Sequence, residues 1–388
     1  MANLRLSGAQ TAARSESDLR FNYLNMQQVI GASNNFNSGV GQAQFYSSDG
    51  GATWSQTTLP TVTGDSFQSD PAVDWTTDGN AWALTVGVSS GANRVRSFTS
   101  TDAGQTWTFD STVSGTQTNV DKPNLWVDHC VTSPYRDTMY ALWWNSGPTY
   151  VSRRSGTSGS WGTPQQVSGS ETSGGSDGGD IKTNTFGDVF AFWPSEGTQD
   201  LYVAKSTDGG AHWGSAVKIA DTFGQFLLDI PAQNTRATSG GSRGALLYIS
   251  GGAYRTATQD RVYACWADLA GGTSCQAPSD QPVADVTSSC KTRIWFAVST
   301  DGGATWGTPT KINDQSSKND QFFPRLAVDE TSGDLLVVYY DTVSDSGRLK
   351  TDVWMQSSTD GGNSWAAATK VTTQQTDEAS ANNDNGNQ

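Results

Sequence analysis

The strongest constraint on how this 388-residue chain can fold is a short phrase that it repeats. SSDGGATW at residues 47–54 returns as STDAGQTW at 100–107, STDGGAHW at 206–213, STDGGATW at 299–306 and STDGGNSW at 358–365, all variants of Ser-x-Asp-x-Gly-x-Thr-Trp. Five matches in one chain mark an internal repeat. With the final Trp as the mark, Trp54 to Trp107 is 53 residues and Trp306 to Trp365 is 59, while Trp107 to Trp213 is 106, twice 53. A sixth, eroded copy is therefore expected at the middle of that gap, and Trp161 stands there at the end of SGTSGSW, its Asp lost. The interval from Trp213 to Trp306 is 93 residues, which implies an insertion of roughly 40 residues in the fifth unit, placed at about 251–293.

Each phrase lies between two runs suited to β-structure, such as Val95 to Phe98 before the second copy and Trp107 to Val113 after it, so it reads as a turn between antiparallel strands. Its Asp can accept hydrogen bonds from the turn's own N–H groups, its Gly supplies backbone angles closed to other residues, and its Trp can pack between units. These are fold-making roles. In the second unit four short strands follow one another: Pro71 to Trp75, Ala81 to Val88, Arg94 to Phe98 and Trp107 to Val113. Later units open with strands at Pro123 to Val127, Ile181 to Thr185, Ile230 to Gln233 and Pro324 to Val328, and the first begins near Leu19 and continues with Gln28 to Ala32. Six four-stranded antiparallel units arranged radially make an all-β fold, a six-bladed β-propeller, which leaves only short sheet edges. The propeller is expected to run as one domain to residue 371, with a polar, flexible tail over 372–388.

The strand order also assigns the faces. Counting strands A to D outward from the channel, the repeated turns join C to D and share a face with the A–B turns. The D–A and B–C loops form the opposite face, where propeller ligands usually bind at the channel mouth. Asp70, Asp121, Asp180 and Asp229 each stand just before an inner strand on that face, with Asp320 near the matching place in the last unit. Such carboxylates would be protonated, hydrogen-bonded or bridged by a cation such as a structural calcium, or they would simply cap local turns. No cofactor is otherwise required. Arg20, Arg236 and Arg325 fall on the same inner strands and would be paired by the Asp ring or await an anionic ligand. The long fifth connection carries Tyr254, Arg255 and Trp266, aromatic and charged groups together, which suit a sugar ring.

Charge and residue usage remove several function classes. A net charge of −14 with scattered Lys and Arg argues against nucleic acid and anionic membranes as partners, and no run of ~18 apolar residues is present to span a bilayer. The two histidines, His129 and His212, lie on the face opposite the mouth, so a Ser-His-Asp hydrolase is not expected and acid-base chemistry falls to Asp, Glu or Tyr. MANLRLSG lacks a signal-peptide core, which leaves a cytosolic protein or a mature secreted one, and abundant Gly, Ser, Thr and Asn favour secretion. Of Cys130, Cys265, Cys275 and Cys290, three lie in the long fifth interval, where a disulfide would staple a loop.

The phrase resembles the Asp-box, or BNR repeat, over nearly the whole chain. Asp-boxes are best known from sialidases, six-bladed propellers that cleave terminal sialic acids, and occur in other glycosidases and in sorting receptors. The sialidase pattern implies three arginines that clamp a carboxylate, a Tyr nucleophile assisted by Glu, and an Asp acid/base. By position Arg20, within DLRF, would be the first clamp residue, Arg325 in FFPRLAV the second, Arg255 or Arg236 the third, and Tyr340 or Tyr339 the nucleophile. The Ile-Pro that normally follows the first arginine is missing, and the first B–C loop, SNNFN, holds no carboxylate for the acid.

The function expected from residues and resemblance together is a secreted glycoside hydrolase acting on a glycan or polysaccharide at the channel mouth. Asp70, Asp121, Asp229 and Asp320 would supply acid and base, and a hydrolase needs two carboxyl groups, or a Tyr and one carboxyl, across the sugar. A non-catalytic glycan- or protein-binding propeller is the alternative, and a polysaccharide lyase a further one.

Overall fold

Six four-stranded antiparallel sheets follow one another along the chain, each ordered A-B-C-D without crossover. The computed structural model describes residues 3–4, 6, 15–35, 41–223, 226–228, 230–234, 245–271, 275, 290–313 and 317–377. The innermost strands are Asp18–Asn22, Phe67–Trp75, Val120–Val127, Asp180–Thr183, Ile249–Arg255 and Gln321–Val328. The protein is a six-bladed β-propeller, as the repeat count requires.

The repeated phrases form the C–D turns and share one hydrogen-bond scheme. In the first, Thr53 donates to Asp49 through its backbone N–H at 2.8 Å and its hydroxyl at 2.6 Å, and Gly51 N–H donates to Ser47 Oγ at 2.9 Å. The same bonds recur around Asp102, Asp301 and Asp360. Side-chain and backbone donors from Thr53, Thr305 and Ser364 hold Asp49, Asp301 and Asp360 down at about 2, so each turn keeps its anion at any ordinary pH. In the eroded copy Trp161 Nε1 donates to Ser97 Oγ of the preceding blade at 3.1 Å instead.

The turn tryptophans join blade to blade. Trp107 is 8% exposed and packs with Ile30 and Ala32 of the first blade and Val73 of its own. Trp161, Trp213, Trp306 and Trp365 likewise pack against the apolar clusters between their blade and the one before. Nearer the axis, inner-strand side chains pin the next inner strand: Val73 N–H donates to Asp18, Val127 to Asp74 and Gly251 to Asp180, each at 2.9 Å, and Leu326 to Ser250 Oγ at 3.0 Å.

The join between sixth and first blades is different. Among the described residues no apolar cluster spans it, and Leu19, Phe21 and Leu336 stay 39–40% exposed. Asn3 bridges toward the far end of the chain through hydrogen bonds with Thr373 and Gln374. The tail expected from residue 372 begins as structure, since Thr376–Asp377 pairs with the third strand of the last blade.

The fifth unit departs from the expected layout. Ile230 to Gln233 does not form its inner strand: Pro231–Asn234 is a short helical turn, flanked by a two-stranded pairing of Leu227–Leu228 with Ala245–Leu246. The inner strand is Ile249–Arg255 and the second is Asp260–Leu269, so 251–269 is blade and not an inserted loop. The extra residues instead precede the inner strand and follow Leu269, where the disulfide joins Cys275 to Cys290. Cys130 and Cys265 are free and buried.

Candidate functional site

Three inner strands carry the same irregularity at the channel mouth. In the second blade Asp70 and Pro71 lie opposite the single residue Thr85, in the third Lys122 and Pro123 opposite Trp143, and in the sixth Phe323 and Pro324 opposite Tyr339. Proline cannot donate to the ladder, so an X-Pro pair inside a strand is taken up as a β-bulge. The residue before each proline has positive φ, 56° at Asp70, 47° at Lys122 and 50° at Phe323. That region costs a side-chain-bearing residue about 1–2 kcal/mol. The fold therefore holds an acid, a base and an aromatic in strained positions on one rim, and such strain concentrates at functional sites.

Around the first two bulges gathers a connected group of carboxyls. Lys122 Nζ donates to Glu16 Oε1 at 2.5 Å and lies 3.8 Å from Asp70 Oδ1, with side-chain exposures of 17%, 15% and 11% for Lys122, Glu16 and Asp70. Asn34 anchors the group from the first blade, donating to Glu16 Oε2 at 3.0 Å and accepting Asp70 N–H at 2.7 Å. Asp70 also accepts hydrogen bonds from Glu16 and Asp121. Asp177 and Tyr248 stand close enough to act on Lys122 electrostatically. Tyr248 Oη and Asp177 Oδ1 are buried and meet no hydrogen-bond partner among the described residues.

This arrangement drives the proton affinities apart. Burial opposes the Asp70 anion, but the Lys122 charge and the hydrogen bonds from Glu16 and Asp121 outweigh it, and Asp70 is held well below the usual carboxylate range. Burial, then the bond and charge of Asp70, raise Glu16 to about 9 and Asp121 to about 8. Asp177 is raised to about 7, by burial first and by Glu196 and Asp70 beyond it, against the pull of Lys122. At neutral pH the mouth thus presents one fixed anion, one ammonium and neighbouring carboxylic acids. Among the described residues no group of three or more His, Cys, Asp or Glu is arranged to hold a metal, and the cation among these carboxyls is Lys122.

Of the residues singled out from the sequence, Asp70 and Asp121 meet in this group, whereas Tyr340 packs on the sixth blade, stacked on Phe322 at 5.5 Å and edge-on to Phe323 at 6.4 Å. Asp320 does not join them. It is fully buried and bound by Arg348 Nη2 at 2.7 Å, a pairing inside the last blade that leaves it no access to a ligand. Asp180 is likewise spent on Lys182 and on the pin to the fifth blade. Tyr339 is core, donating to Gln356.

The arginine clamp is not assembled from Arg20, Arg255 and Arg325. Arg20 sits on the channel wall and pairs with Asp18 at 3.0 Å. Arg325 is exposed on the sixth inner strand, within electrostatic reach of Asp180 and Lys182. Arg255 ends its strand on the opposite face, bound to Asp188 at 2.6 Å and stacked over Phe186. Tyr254 and Trp266, 8% and 1% exposed, are core residues and cannot act as platforms at the mouth. The reason is the shifted insertion, which turns 251–269 into strand. Asp229 and Arg236 lie outside the described residues.

Glu16, Lys122, Asp177 and Tyr248 were missed. For Lys122 the signal was legible, since it precedes the proline that opens an inner strand just as Asp70 does. His129 lies at the far end of the channel, as expected, with Tyr23 stacked on it at 3.6 Å.

A BNR/Asp-box repeat model matches residues 45–56, the first of the repeated turns. The protein is thus a six-bladed propeller whose first C–D turn matches the Asp-box repeat. No curated protein sequence matches it. Among solved structures it is similar to a NanB sialidase from Streptococcus pneumoniae (10% identity, 89% of this chain and 68% of that one, TM-score 0.54). It is also similar to an intramolecular trans-sialidase from Ruminococcus gnavus (11%, 87% and 92%, TM-score 0.53) and to an α-L-arabinofuranosidase from Fusarium graminearum (13%, 89% and 92%, TM-score 0.50). These neighbours are glycosidase propellers, and at such identities the likeness establishes the fold alone.

Proposed function

We propose that the protein is a secreted glycoside hydrolase that works at the channel mouth. The observation that carries this reading is the split in proton affinity within one cluster, since hydrolysis of a glycosidic bond asks for one carboxyl that keeps its proton and one that has lost it. Asp177, protonated up to about 7 and with Oδ1 unengaged, suits the donor that protonates the glycosidic oxygen as the C–O bond breaks. Asp70, held ionised, suits the group that stabilises the cationic sugar and takes the proton of the attacking water. Lys122 keeps Asp70 ionised. The Cys275–Cys290 disulfide agrees with an oxidising compartment, and no helix among the described residues is long and apolar enough to cross a membrane.

A non-catalytic glycan binder is the second reading, favoured by the hydrogen bonding of Glu16 and Asp121 to Asp70, which engages all three carboxyls without a ligand. A panel of chromogenic glycosides, arabinofuranosides and sialosides separates the two. Turnover that falls at least a hundredfold in both Asp70→Asn and Asp177→Asn supports the hydrolase, while glycan binding without turnover supports the binder.

A further inference from the structure

The third bulge points at the sugar itself. Phe323 occupies in the sixth blade the strained place that Asp70 and Lys122 occupy in the second and third. Its ring is half-buried and lies offset against Tyr248, with centroids 6.2 Å apart and planes 29° from parallel. Tyr248 in turn stands beside Lys122 and Asp177, so the aromatic pair adjoins the carboxyl group.

Tyr248 is fixed from two further sides. Phe226 packs against it at 5.9 Å. Gly178, at φ +77°, lies so close to the other side that an added Cβ would fall 1.7 Å from Tyr248 Cδ1. A glycine is required there because the ring takes the space of a side chain. An immobilised aromatic rim next to hydrogen-bonding acids is the combination that a pyranose or furanose asks for: CH groups on one face of the ring, hydroxyls around its edge.

We infer that Phe323, supported by Tyr248, is the stacking platform that positions a sugar ring against Asp70 and Asp177, and so determines which glycans bind productively. The ligand class is a glycan whose terminal or internal ring has one face of CH groups free of substituents. The inference rests on the reading of the mouth as a glycan site. It assigns Phe323 a binding role and leaves the proton transfers to the carboxyls.

The test compares Phe323→Ala, Phe323→Leu and Phe323→Tyr with the unaltered protein on arabino-, xylo-, gluco-, manno- and galacto-oligosaccharides and on sialyllactose. Calorimetric Kd values are measured throughout, with KM and kcat wherever turnover occurs. Phe323→Ala should raise KM or Kd about tenfold, the worth of one good aromatic contact, and lower kcat/KM at least as much. Phe323→Leu, which keeps bulk without a π face and guards against a folding defect in the alanine variant, should weaken binding similarly, and Phe323→Tyr should restore it. Unchanged KM and Kd in the Ala and Leu variants would overturn the platform, and loss of turnover in Asp70→Asn would then leave the hydrolase reading standing. Weakened binding beside intact turnover in the Asp variants would do the reverse. No binding to any of these glycans would overturn both.

Discussion

Replacing Asp121 by Asn should change how the stability of the protein depends on pH. Burial and the neighbouring Asp70 raise Asp121 from 3.8 to about 8, and Glu16 from 4.5 to about 9. A carboxyl whose affinity is raised on folding stabilises the folded state most below its unfolded value, and that stabilisation is lost as pH climbs through the folded value. For Asp121 the window runs from 3.8 to about 8. Within it the folded protein holds a proton that the unfolded chain has released, so stability falls by about 1.4 kcal/mol per pH unit for that one group. An amide at 121 can still donate to Asp70 but cannot titrate. Between pH 5.5 and 7.5 the unaltered protein should therefore lose about 3 kcal/mol more than Asp121→Asn does. Urea unfolding followed by tryptophan fluorescence at pH 5.5, 6.5 and 7.5 reads this directly as the difference between two slopes. Parallel stability curves for the two proteins would show that Asp121 is already ionised in the folded state, and the hydrogen-bonded carboxyl cluster would be refuted.

Other perturbations should separate scaffold from site. Trp107→Ala opens a hole between the first two blades and should cost about 3 kcal/mol, whereas Trp54→Ala, beside the join that no described apolar cluster spans, should cost less than half as much in the same urea titration. Arg348→Met leaves the Asp320 carboxylate buried without its partner, and removing one member of a buried pair costs about 3–5 kcal/mol. The loss should appear in the thermal midpoint, with kcat on any substrate preserved in the fraction that folds. Reduction of Cys275–Cys290, 15 residues apart, should lower stability by about 3 kcal/mol on the chain-entropy account, and Cys275→Ser with Cys290→Ser should match the reduced protein.

The repeated turn made the architecture legible from residues alone. It closes on itself through Ser, Asp and Thr only a few positions apart, and it recurs at a spacing set by four short strands, so the number of blades and even the eroded copy at Trp161 could be read without tertiary information. The position of the mouth followed, because alternating strand direction assigns each loop to a face. Asp70 and Asp121 were found that way. Lys122 and Phe323 were within reach as residues before inner-strand prolines, whereas the strand expected over Ile230 to Gln233 fails because Pro231–Asn234 folds as a helical turn.

What the sequence could not decide is which charged groups remain available. Asp70 and Asp320 look alike in the chain, each ahead of an inner strand, and only the packing shows that Arg348 consumes one while Glu16, from a segment more than fifty residues earlier, and Lys122 poise the other. Partners of that kind are fixed by how six blades close around an axis, and burial then sets the proton affinities. Local hydrogen bonds write the propeller into the sequence, whereas the chemistry of its mouth depends on long-range contacts and desolvation, which exist only once the ring has formed.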